Sequence, residues 1–504
     1  MRRPPVFVAL DAGTGGGKCA IFDATGRCLA AVRRPWSYRI TSHPEIPFVR
    51  RFDFDPETFW SFLCECTRRA LESARVEPQR IAGVAATSQR EGCVFLDREG
   101  REVMAAPNLD ARGFAEGLEV LEALGPERLY EVTGHSAPFI FPLVRYLWYR
   151  KQGGAPVRRI LMLNDWIVYR LSGAEVSEPS NGTESLMFDL RTRNWSREIL
   201  EKFDIPSELL PPVGAPGEVA GRVHRRAARE TGLPEGLPVY LGGADTQCSL
   251  LGAGAISPGQ AAATLGTTAP LQIVTDRPTF DPKHNLWAGC HVLEERWVLE
   301  SNIGDTGDAY RWLLELLGKG RSPSSLYRYG EKLAGEDGPP PEVFSFVGPS
   351  IFDTTQLRPD RPGGILFPFP GLHVRPSAAD IVRAFLDSIG FAIRANYEQL
   401  LEVTGTTPGD IVLSGGLTRN EKLLRRCATI LGRPLSVTRE PESAALGCAI
   451  LVARGSGVHP STEEAVRKMV RLRTVEPEVS LRESYQRAYE RWKDLSYKLS
   501  QLAF

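Results

Sequence analysis

The feature that most constrains this fold is a predicted strand followed closely by an acidic residue and glycines, and the chain contains it twice. VFVALDAGTGG at residues 6–16 runs from a strand into Asp11 and a glycine turn. PVYLGGADTQ at residues 238–247 runs through two glycines into Asp245, and a second glycine turn, LGTT at residues 265–268, lies just beyond it. Glycine turns let backbone N–H groups approach a phosphate closely. The pattern therefore predicts a cleft with two phosphate-binding turns and an acid for proton transfer.

Length and composition favour a globular protein of two or more domains. A chain of 504 residues is too long to fold around one hydrophobic core of ordinary size. Its contents of 42% hydrophobic and 24% charged residues are typical of globular proteins. The formal net charge is zero, which argues against a nucleic-acid partner. The first apolar run ends at Asp11, too early for a signal peptide, and no apolar stretch approaches ~20 residues. We therefore expect a cytoplasmic protein without nucleic-acid or membrane partners.

Cysteine and histidine usage gives no sign of disulfides or structural zinc. The nine cysteines are scattered without a C-x-x-C motif, and the seven histidines show no metal-ligand spacing. This usage predicts reduced thiols that mostly pack as small apolar side chains.

Hydrophobic periodicity predicts strands and helices in two halves that resemble each other in shape. Residues 5–35 predict three strands joined by turns, and residues 260–274 repeat the strand, glycine turn and strand. Further strands are predicted at 81–88 and 410–416, with a hairpin at 94–103. Helices are predicted at 56–75, 139–152, 160–172, 377–403 and 420–431. In the tail, Tyr485, Tyr489 and Trp492 share one helical face, which predicts a docking helix.

The segment GTGGGK at residues 13–18 resembles a P-loop but lacks two of its residues. That motif requires glycine where Ala12 stands and serine or threonine where Cys19 stands. The residues that follow also predict a strand instead of a helix. We interpret the segment as a β-hairpin that meets phosphate through its backbone, although an ordinary tight hairpin explains the pattern equally well.

The two acids at strand ends suit the chemistry of phosphate transfer to a hydroxyl. Asp11 is placed to hold Mg²⁺ directly or through water, and a turn-capping role is the alternative. Asp245 is placed to act as the base that accepts the hydroxyl proton. A helix N-cap is the competing interpretation of Asp245, and the two roles are compatible.

Polar clusters follow other predicted strands. SQREG at residues 88–92 and PNLDARG at residues 107–113 place charged groups at strand ends, where open α/β sheets bind ligands. A surface ion-pair set is the alternative. Gly415 and Gly416 with Asn420 suit an adenine ring lying on the backbone, or a simple strand, turn and helix with an asparagine N-cap.

Together these motifs resemble the FGGY carbohydrate kinase family, in family order over nearly the whole chain. The matching pieces are DAGTGGGK (11–18), SQREG (88–92), NLDARG (108–113), NDWIVYRLSG (164–173), PSNGTESLMFDL (179–190), GGADTQ (242–247), LGTTA (265–269), GDAYRWL (307–313) and SGGLTRNEKL (414–423). The resemblance implies an α/β fold with two actin-like (ribonuclease-H-like) domains around an interdomain cleft. It also implies ATP, Mg²⁺ and transfer of the γ-phosphate to a hydroxyl of a small sugar or polyol. The implied domains are a sugar-binding domain at 1–252, a nucleotide-binding domain at 253–475 and a docking helix at 476–504.

The resemblance also implies roles for individual residues. Asp245 matches the catalytic base, and Asp11 matches the metal-associated acid. The implied ATP-binding residues are Thr14, Gly15, Gly16, Lys18, Gly266, Thr267, Gly307, Arg311, Gly416 and Asn420. The implied substrate-binding residues are Gln89, Arg90, Glu91, Asp110 and Thr246.

Within the family, the motifs are most similar in style to the autoinducer-2 kinase branch. Xylulokinases usually carry histidine where Glu91 stands and tryptophan near Asn108. A xylulokinase or another pentulose or polyol kinase is the alternative within the family. A non-catalytic, actin-like ATP-binding regulatory protein is the alternative of a different class. Such a protein would not need Asp245 together with both polar clusters. The sequence leaves open which sugar or polyol is the substrate, and whether the protein forms a homodimer.

Overall fold

The computed structural model describes residues 4–42, 46, 49–335, 338–354, 362–368, 375–407 and 409–502. The strands of these residues are β1 (Val6–Gly13), β2 (Gly16–Asp23), β3 (Cys28–Pro35), β4 (Arg39–Ser42), β5 (Arg50–Asp53), β6 (Ile81–Ser88), β7 (Cys93–Leu96), β8 (Glu102–Ala106), β9 (Arg159–Met162), β10 (Phe188–Asp189), β11 (Asn194–Trp195), β12 (Val219–Arg222), β13 (Pro238–Ala244), β14 (Ala261–Thr264), β15 (Thr268–Thr275), β16 (Trp287–Cys290), β17 (Trp297–Asp305), β18 (Phe344–Ser345), β19 (Ile365–Leu366), β20 (Ile411–Ser414), β21 (Leu435–Thr438) and β22 (Leu472–Val475).

The α-helices cover the faces of the sheets and include the long helix predicted near residue 390. They are α1 (Pro56–Ala74), α2 (Phe114–Leu124), α3 (Pro126–Thr133), α4 (Pro142–Lys151), α5 (Leu163–Ser172), α6 (Pro179–Thr183), α7 (Arg197–Lys202), α8 (Arg225–Thr231), α9 (Asp245–Gly252), α10 (Gly307–Leu317), α11 (Pro323–Ala334), α12 (Ala378–Thr404), α13 (Glu421–Leu431), α14 (Ser443–Gly455), α15 (Thr462–Met469) and α16 (Arg482–Ser500).

Two large mixed sheets match in the spatial order and direction of six strands, which confirms the predicted α/β fold with a repeated shape. The first sheet has the order β12-β13-β6-β1-β2-β3, and the second has the order β16-β17-β15-β14-β20-β21-β22. In the first, β1 pairs antiparallel with β2 and parallel with β6. In the second, β14 pairs antiparallel with β15 and parallel with β20. The sheets therefore correspond strand by strand, and β16 is an addition to the second.

Helices α9 and α14 pack together and join the two halves. A Cβ at Gly447 of α14 would lie 2.0 Å from the carbonyl oxygen of Cys248 on α9. A Cβ at Gly252 would lie 2.0 Å from the carbonyl oxygen of Ser443. Helix α14 also contributes Ile450 to an apolar cluster with residues of the first sheet. The close approach of these helices therefore depends on glycine at two positions.

Two predicted helices differ from the structure at their starts. The first begins at Pro142 instead of residue 139, since Pro142 occupies the first turn, where its missing N–H is not needed. The segment Arg159–Met162 is a strand, because it pairs antiparallel with β7, and a helix follows only from Leu163.

The predicted tail helix docks as expected. Tyr485, Tyr489 and Trp492 are buried on α16, and their rings pack near Phe391 of α12. The helix begins at Arg482, and residues 503–504 lie outside the described part.

The structure also tests for membrane-spanning helices and for disulfide bonds within the described residues. None of the helices in these ranges is long and apolar enough to span a membrane. All nine cysteines are free thiols.

Candidate active site

The first glycine turn is the tip of the hairpin formed by β1 and β2. Gly13 pairs with Gly16, so Thr14 and Gly15 form a two-residue turn. A Cβ at Gly16 would lie 2.6 Å from the carbonyl oxygen of Arg34 on β3. Glycine at this position therefore lets β3 pass close behind the turn. The turn leads into a strand, which confirms the hairpin interpretation and excludes a P-loop.

The second glycine turn joins β14 to β15 and meets two other loops of the second half. The N–H of Gly307, at the start of α10, donates to the carbonyl of Gly266 at 3.0 Å. Gly415 follows β20 with φ of +91°, and a Cβ there would lie 2.7 Å from the carbonyl oxygen of Leu265. This left-handed conformation and the close contact both favour glycine.

The two turns open into one cavity of about 890 Å³ that both halves of the chain line. Asp11, Asp245 and Thr246 line it, as do all ten predicted ATP-binding residues: Thr14, Gly15, Gly16, Lys18, Gly266, Thr267, Gly307, Arg311, Gly416 and Asn420. The Asn420 side chain also caps α13, accepting a bond from the N–H of Leu423 at 3.1 Å. The fold therefore brings the predicted residues, which are far apart in the chain, to the wall of one cavity.

Lys18 forms an ion pair with one acid from each half of the chain. Its Nζ lies 3.0 Å from Asp11 Oδ2 and 2.5 Å from Glu442 Oε2. Burial lowers the pKa of Lys18, but the charges of Asp11 and Glu442 outweigh that effect and raise it above its usual value. Lys18 is therefore a fixed positive charge in the cavity wall.

Asp245 is the first residue of α9, directly after β13, and its N-cap is Ala244. The predicted N-cap alternative is therefore off by one residue. Burial, the charge of Asp11 and that of Glu91 raise the pKa of Asp245 to about 7, against the opposing charge of Arg90. An acid with a pKa near neutrality can take up a proton and release it again under ordinary conditions.

Behind Asp245 lies a buried ion pair that crosses between the two halves. Arg90, which follows β6, donates from Nη1 and Nη2 to the two carboxylate oxygens of Glu300 on β17, both at 2.8 Å. Gln272 Nε2 also donates to Glu300 at 2.6 Å. The Arg90 guanidinium lies 5.3 Å from the centre of the Trp287 ring and 3.6 Å from Glu184. Arg90 therefore lies between carboxylates from both halves of the chain.

Several polar atoms around this pair have no hydrogen-bond partner among the described residues, although His135 Nε2 lies 3.5 Å from Glu184 Oε2. They belong to three buried side chains: both ring nitrogens of His135, Oε2 of Glu184 and Nε1 of Trp287. Burial and the charge of Arg90 lower the pKa of His135 to about 3, so its ring is neutral. Unpartnered buried polar groups are costly unless a ligand or water satisfies them.

Glu91 occupies a strained position beside this cluster. Its φ of +55° lies in the left-handed region, which is unusual for glutamate. Burial raises its pKa, and the charges of Arg90 and Arg145 oppose that rise. Such strain is often retained at functional sites.

Gln89 supports the first glycine turn from behind. Its Oε1 accepts from the Asn108 N–H at 3.2 Å, and its Nε2 donates to Tyr38 Oη at 3.3 Å. Tyr38 Oη in turn donates to the carbonyl of Thr14 at 2.6 Å, and Asn108 Nδ2 donates to Thr14 Oγ1 at 3.0 Å. Both polar ends of Gln89 are therefore used within the protein.

Asp110 does not reach the cavity wall. Its side chain is fully buried, and Arg112 Nε donates to Oδ2 at 2.6 Å while the Phe52 N–H donates to Oδ1 at 2.9 Å. Arg145 Nε lies 3.1 Å from the same carboxylate. Arg145 also donates to the carbonyl of Glu91. This geometry favours a positioning role for Asp110 over the direct substrate contact that the sequence suggested.

Sequence reasoning assigned no role to several residues that the fold brings to the site, two of which, Glu184 and Arg419, lie within the matched motifs. They are Arg33, His135, Glu184, Gln272, Trp287, Glu300, Arg419 and Glu442. A local signal existed for Glu442, which lies just before a helix of small residues that follows β21. Glu300 lies within a strand, and no local pattern separates it from an ordinary polar position.

Solved structures with this fold include sugar kinases. The ligand-bound xylulose kinase of Lactobacillus acidophilus is 18% identical with a TM-score of 0.85, over 99% of each chain. The glycerol kinase of Plasmodium falciparum with ADP is 18% identical with a TM-score of 0.81, also over 99% of each chain. The fold is therefore that of sugar kinases, with two actin-like (ribonuclease-H-like) domains.

Sequence comparisons identify the family. The model of the FGGY family of carbohydrate kinases matches with its N-terminal domain at residues 6–252 and its C-terminal domain at residues 261–456. The autoinducer-2 kinases of Escherichia coli strain K12 and Yersinia enterocolitica are 30% and 31% identical over 503 residues, covering 97% of this chain and 93% of theirs. The chain belongs to the FGGY family of carbohydrate kinases and is an ATP-dependent sugar kinase.

Proposed function

We propose that this enzyme transfers the γ-phosphate of ATP to a hydroxyl of a small polyhydroxy carbonyl compound of the autoinducer-2 type. Similarity to autoinducer-2 kinases over 97% of the chain supports this substrate class. The observation that carries the chemistry is Asp245, which has a pKa near neutrality and lines the cavity with both glycine turns.

Asp245 is the proposed base for the acceptor hydroxyl. Phosphoryl transfer depends mainly on positioning and charge stabilisation, with a residue that accepts the hydroxyl proton. Asp245 lines the cavity together with the turns that are proposed to hold the phosphates, and the charge of the buried Arg90 acts on its carboxylate. We assign the backbone N–H groups of both turns and Lys18 to stabilising the transferred phosphoryl group.

The substrate is proposed to lie against the buried cluster. Arg90, Glu91 and the polar atoms of His135, Glu184 and Trp287 that have no hydrogen-bond partner are proposed to bind several neighbouring hydroxyl or carbonyl oxygens. Thr246 follows Asp245 in the cavity wall and is proposed to contact the same molecule. Gln89 and Asp110 are proposed to position these groups, since their own polar atoms are already bonded within the protein.

We propose domain boundaries that follow the division of the site. Residues 1–252 would form the sugar-binding domain, residues 253–475 the nucleotide-binding domain and residues 476–504 a docking helix. The contact between α9 and α14 is the proposed pivot for relative motion of the two domains. Closure would exclude water, so that transfer to the alcohol is faster than hydrolysis.

Mg²⁺ is the proposed metal, with Asp11 as its protein ligand, directly or through water. Within the described ranges, no group of three or more histidine, cysteine, aspartate or glutamate residues forms a metal cluster. Mg²⁺ is usually held by one or two carboxylates together with substrate phosphates and water. Asp11 lines the cavity and fits that donor set. Bound Mg²⁺ would neutralise charge on the phosphates, and Asp11 would hold it beside Lys18.

The test is ADP production with Mg-ATP against a panel of acceptors. The panel comprises the autoinducer-2 precursor, D-xylulose, L-ribulose, L-fuculose, L-rhamnulose, D-gluconate, glycerol and erythritol. We expect the highest kcat/KM with the autoinducer-2 precursor. A higher value with a pentulose or polyol would overturn the substrate class but keep the chemistry. Nucleotide binding without turnover on any acceptor would support a regulatory protein instead.

A further inference from the structure

Two positive side chains face each other on the cavity wall. Lys18 on β2 and Arg33 on β3 are direct partners in the antiparallel register, and both line the cavity. Directly opposite residues on one face of a sheet have Cβ atoms about 5 Å apart, and like charges there are destabilising. The sheet therefore places two cations side by side at the point where the phosphate site is proposed.

The two charges differ in how they are compensated. Lys18 is paired with Asp11 and Glu442. Among the residues that the structure describes, no carboxylate forms an ion pair with Arg33, which is exposed to the cavity. Its Nη2 lies 3.1 Å from the position that a Cβ on Gly15 would take. The guanidinium therefore lies against the tip of the first glycine turn, with donors free for an anion.

We propose that the Arg33 guanidinium binds the terminal phosphate of the nucleotide. The inference rests on the proposed function and adds a residue that none of the sequence motifs contains. The tip of the first turn, Lys18 and Asp245 line one cavity, and the phosphate that is transferred must lie near the base. A guanidinium has a planar set of donors that matches phosphate oxygens in a two-bond geometry. An anion beside Arg33 would also supply the negative partner that Arg33 lacks among the described residues.

The next residue offers a matched control. Arg34 points to the opposite face of β3, where it forms an ion pair with Glu65 and its guanidinium lies 3.8 Å from the centre of the Phe62 ring. Replacing Arg34 removes the same charge from the same strand but leaves the cavity unchanged. An effect of general charge or of strand stability would therefore appear in both variants.

The experiment measures binding of adenylyl imidodiphosphate and of ADP, with Mg²⁺, by isothermal titration calorimetry. We expect Arg33→Gln to weaken binding of the triphosphate analogue by a factor of ~10, the usual worth of one charged hydrogen-bond pair. Binding of ADP should weaken by less than ~3-fold, since the lost contact is to the terminal phosphate. Arg33→Lys should recover part of the loss, and Arg34→Gln should bind both nucleotides like the wild type.

Each outcome decides the proposal. Equal losses for both nucleotides would place Arg33 at an inner phosphate, and unchanged binding would remove it from the phosphate site. Either result overturns the assignment while leaving the kinase function standing. If the wild-type protein binds neither nucleotide, the proposed function fails, and the role of Arg33 fails with it. Thermal unfolding of each variant identifies any loss that comes from misfolding.

Discussion

The pKa of Asp245 makes the rate of phosphoryl transfer depend on pH in a defined way. Burial comes first among the causes that raise this pKa to about 7, followed by the charge of Asp11. As the base, Asp245 must be ionised to accept the hydroxyl proton, so activity requires a pH at or above this pKa. With the best acceptor, kcat/KM should be half-maximal near pH 7 and should fall about tenfold for each pH unit below it.

The size of the effect of burial and charge on Asp245 follows from the difference between its ordinary pKa and its pKa in the folded protein. A rise from an ordinary value of 3.8 to about 7 corresponds to ~4 kcal/mol of differential interaction between the two protonation states. Asp11→Asn removes one of the negative charges responsible. The acid limb of the profile should then move to lower pH by about one unit, the lower end of the usual effect of a neighbouring charge.

The assay is kcat/KM as a function of pH for the wild type and for Asp11→Asn, because kcat/KM reports the pKa values of the free enzyme. Circular dichroism at each pH separates loss of activity from unfolding. An acid limb with a midpoint below about pH 5 would refute the reasoning, because Asp245 would then titrate near the ordinary range for aspartate. A limb that does not move in Asp11→Asn would remove Asp11 as a cause.

The same shift predicts how stability depends on pH. Since folding raises the pKa of Asp245, the folded protein holds a proton that the unfolded chain loses between about pH 4 and about pH 7, and stability falls as pH rises through that window. Asp245→Asn has no such titration. Its advantage in the free energy of unfolding should grow from near zero at about pH 4 to ~4 kcal/mol above about pH 7. Urea unfolding at both pH values measures it, and an equal advantage at both would contradict the linkage.

Two further predictions concern the contacts between the halves of the chain. Glu300→Ala should lower the free energy of unfolding by ~3–5 kcal/mol, because it leaves the buried charge of Arg90 without its bidentate partner. Urea unfolding measures the loss. A loss below about 1 kcal/mol would show that the buried charge of Arg90 does not depend on this pair. Gly447→Ala should lower it by ~1–3 kcal/mol, because the new methyl would lie 2.0 Å from the carbonyl oxygen of Cys248. Gly364→Ala is the control, since an added Cβ there meets no atom within 4 Å, and equal stability of the two variants would contradict close packing of α9 on α14.

The strands and turns of the site were predictable because they leave local signals. The apolar run before Asp11 and the glycines at residues 15–16 predict a hairpin, and the lack of a helix pattern after Cys19 excludes a P-loop. The pattern around Asp245 likewise predicts a strand end beside a glycine turn. These signals depend on the backbone conformation of a few neighbouring residues, which sequence determines strongly.

The buried half of the site was not predictable from local patterns. Arg90 and Glu300 are 210 residues apart, and their contact exists only after both sheets are assembled. Asp110 was expected at the substrate side because polar residues after a strand often bind ligands. Its burial under Arg112 and Arg145 depends on how α4 packs, which the sequence around Asp110 does not reveal.

The central claim is that Asp245 accepts the proton of a sugar or polyol hydroxyl during transfer from ATP. The most direct measurement compares acceptor-dependent ADP release by the wild type and by Asp245→Asn, with binding of adenylyl imidodiphosphate measured on both proteins. We predict that kcat falls by a factor of ~10²–10⁴, the usual worth of a positioned base, while the dissociation constant of the analogue changes by less than ~3-fold. Near-wild-type turnover in Asp245→Asn would contradict the assignment and require a different base in the cavity.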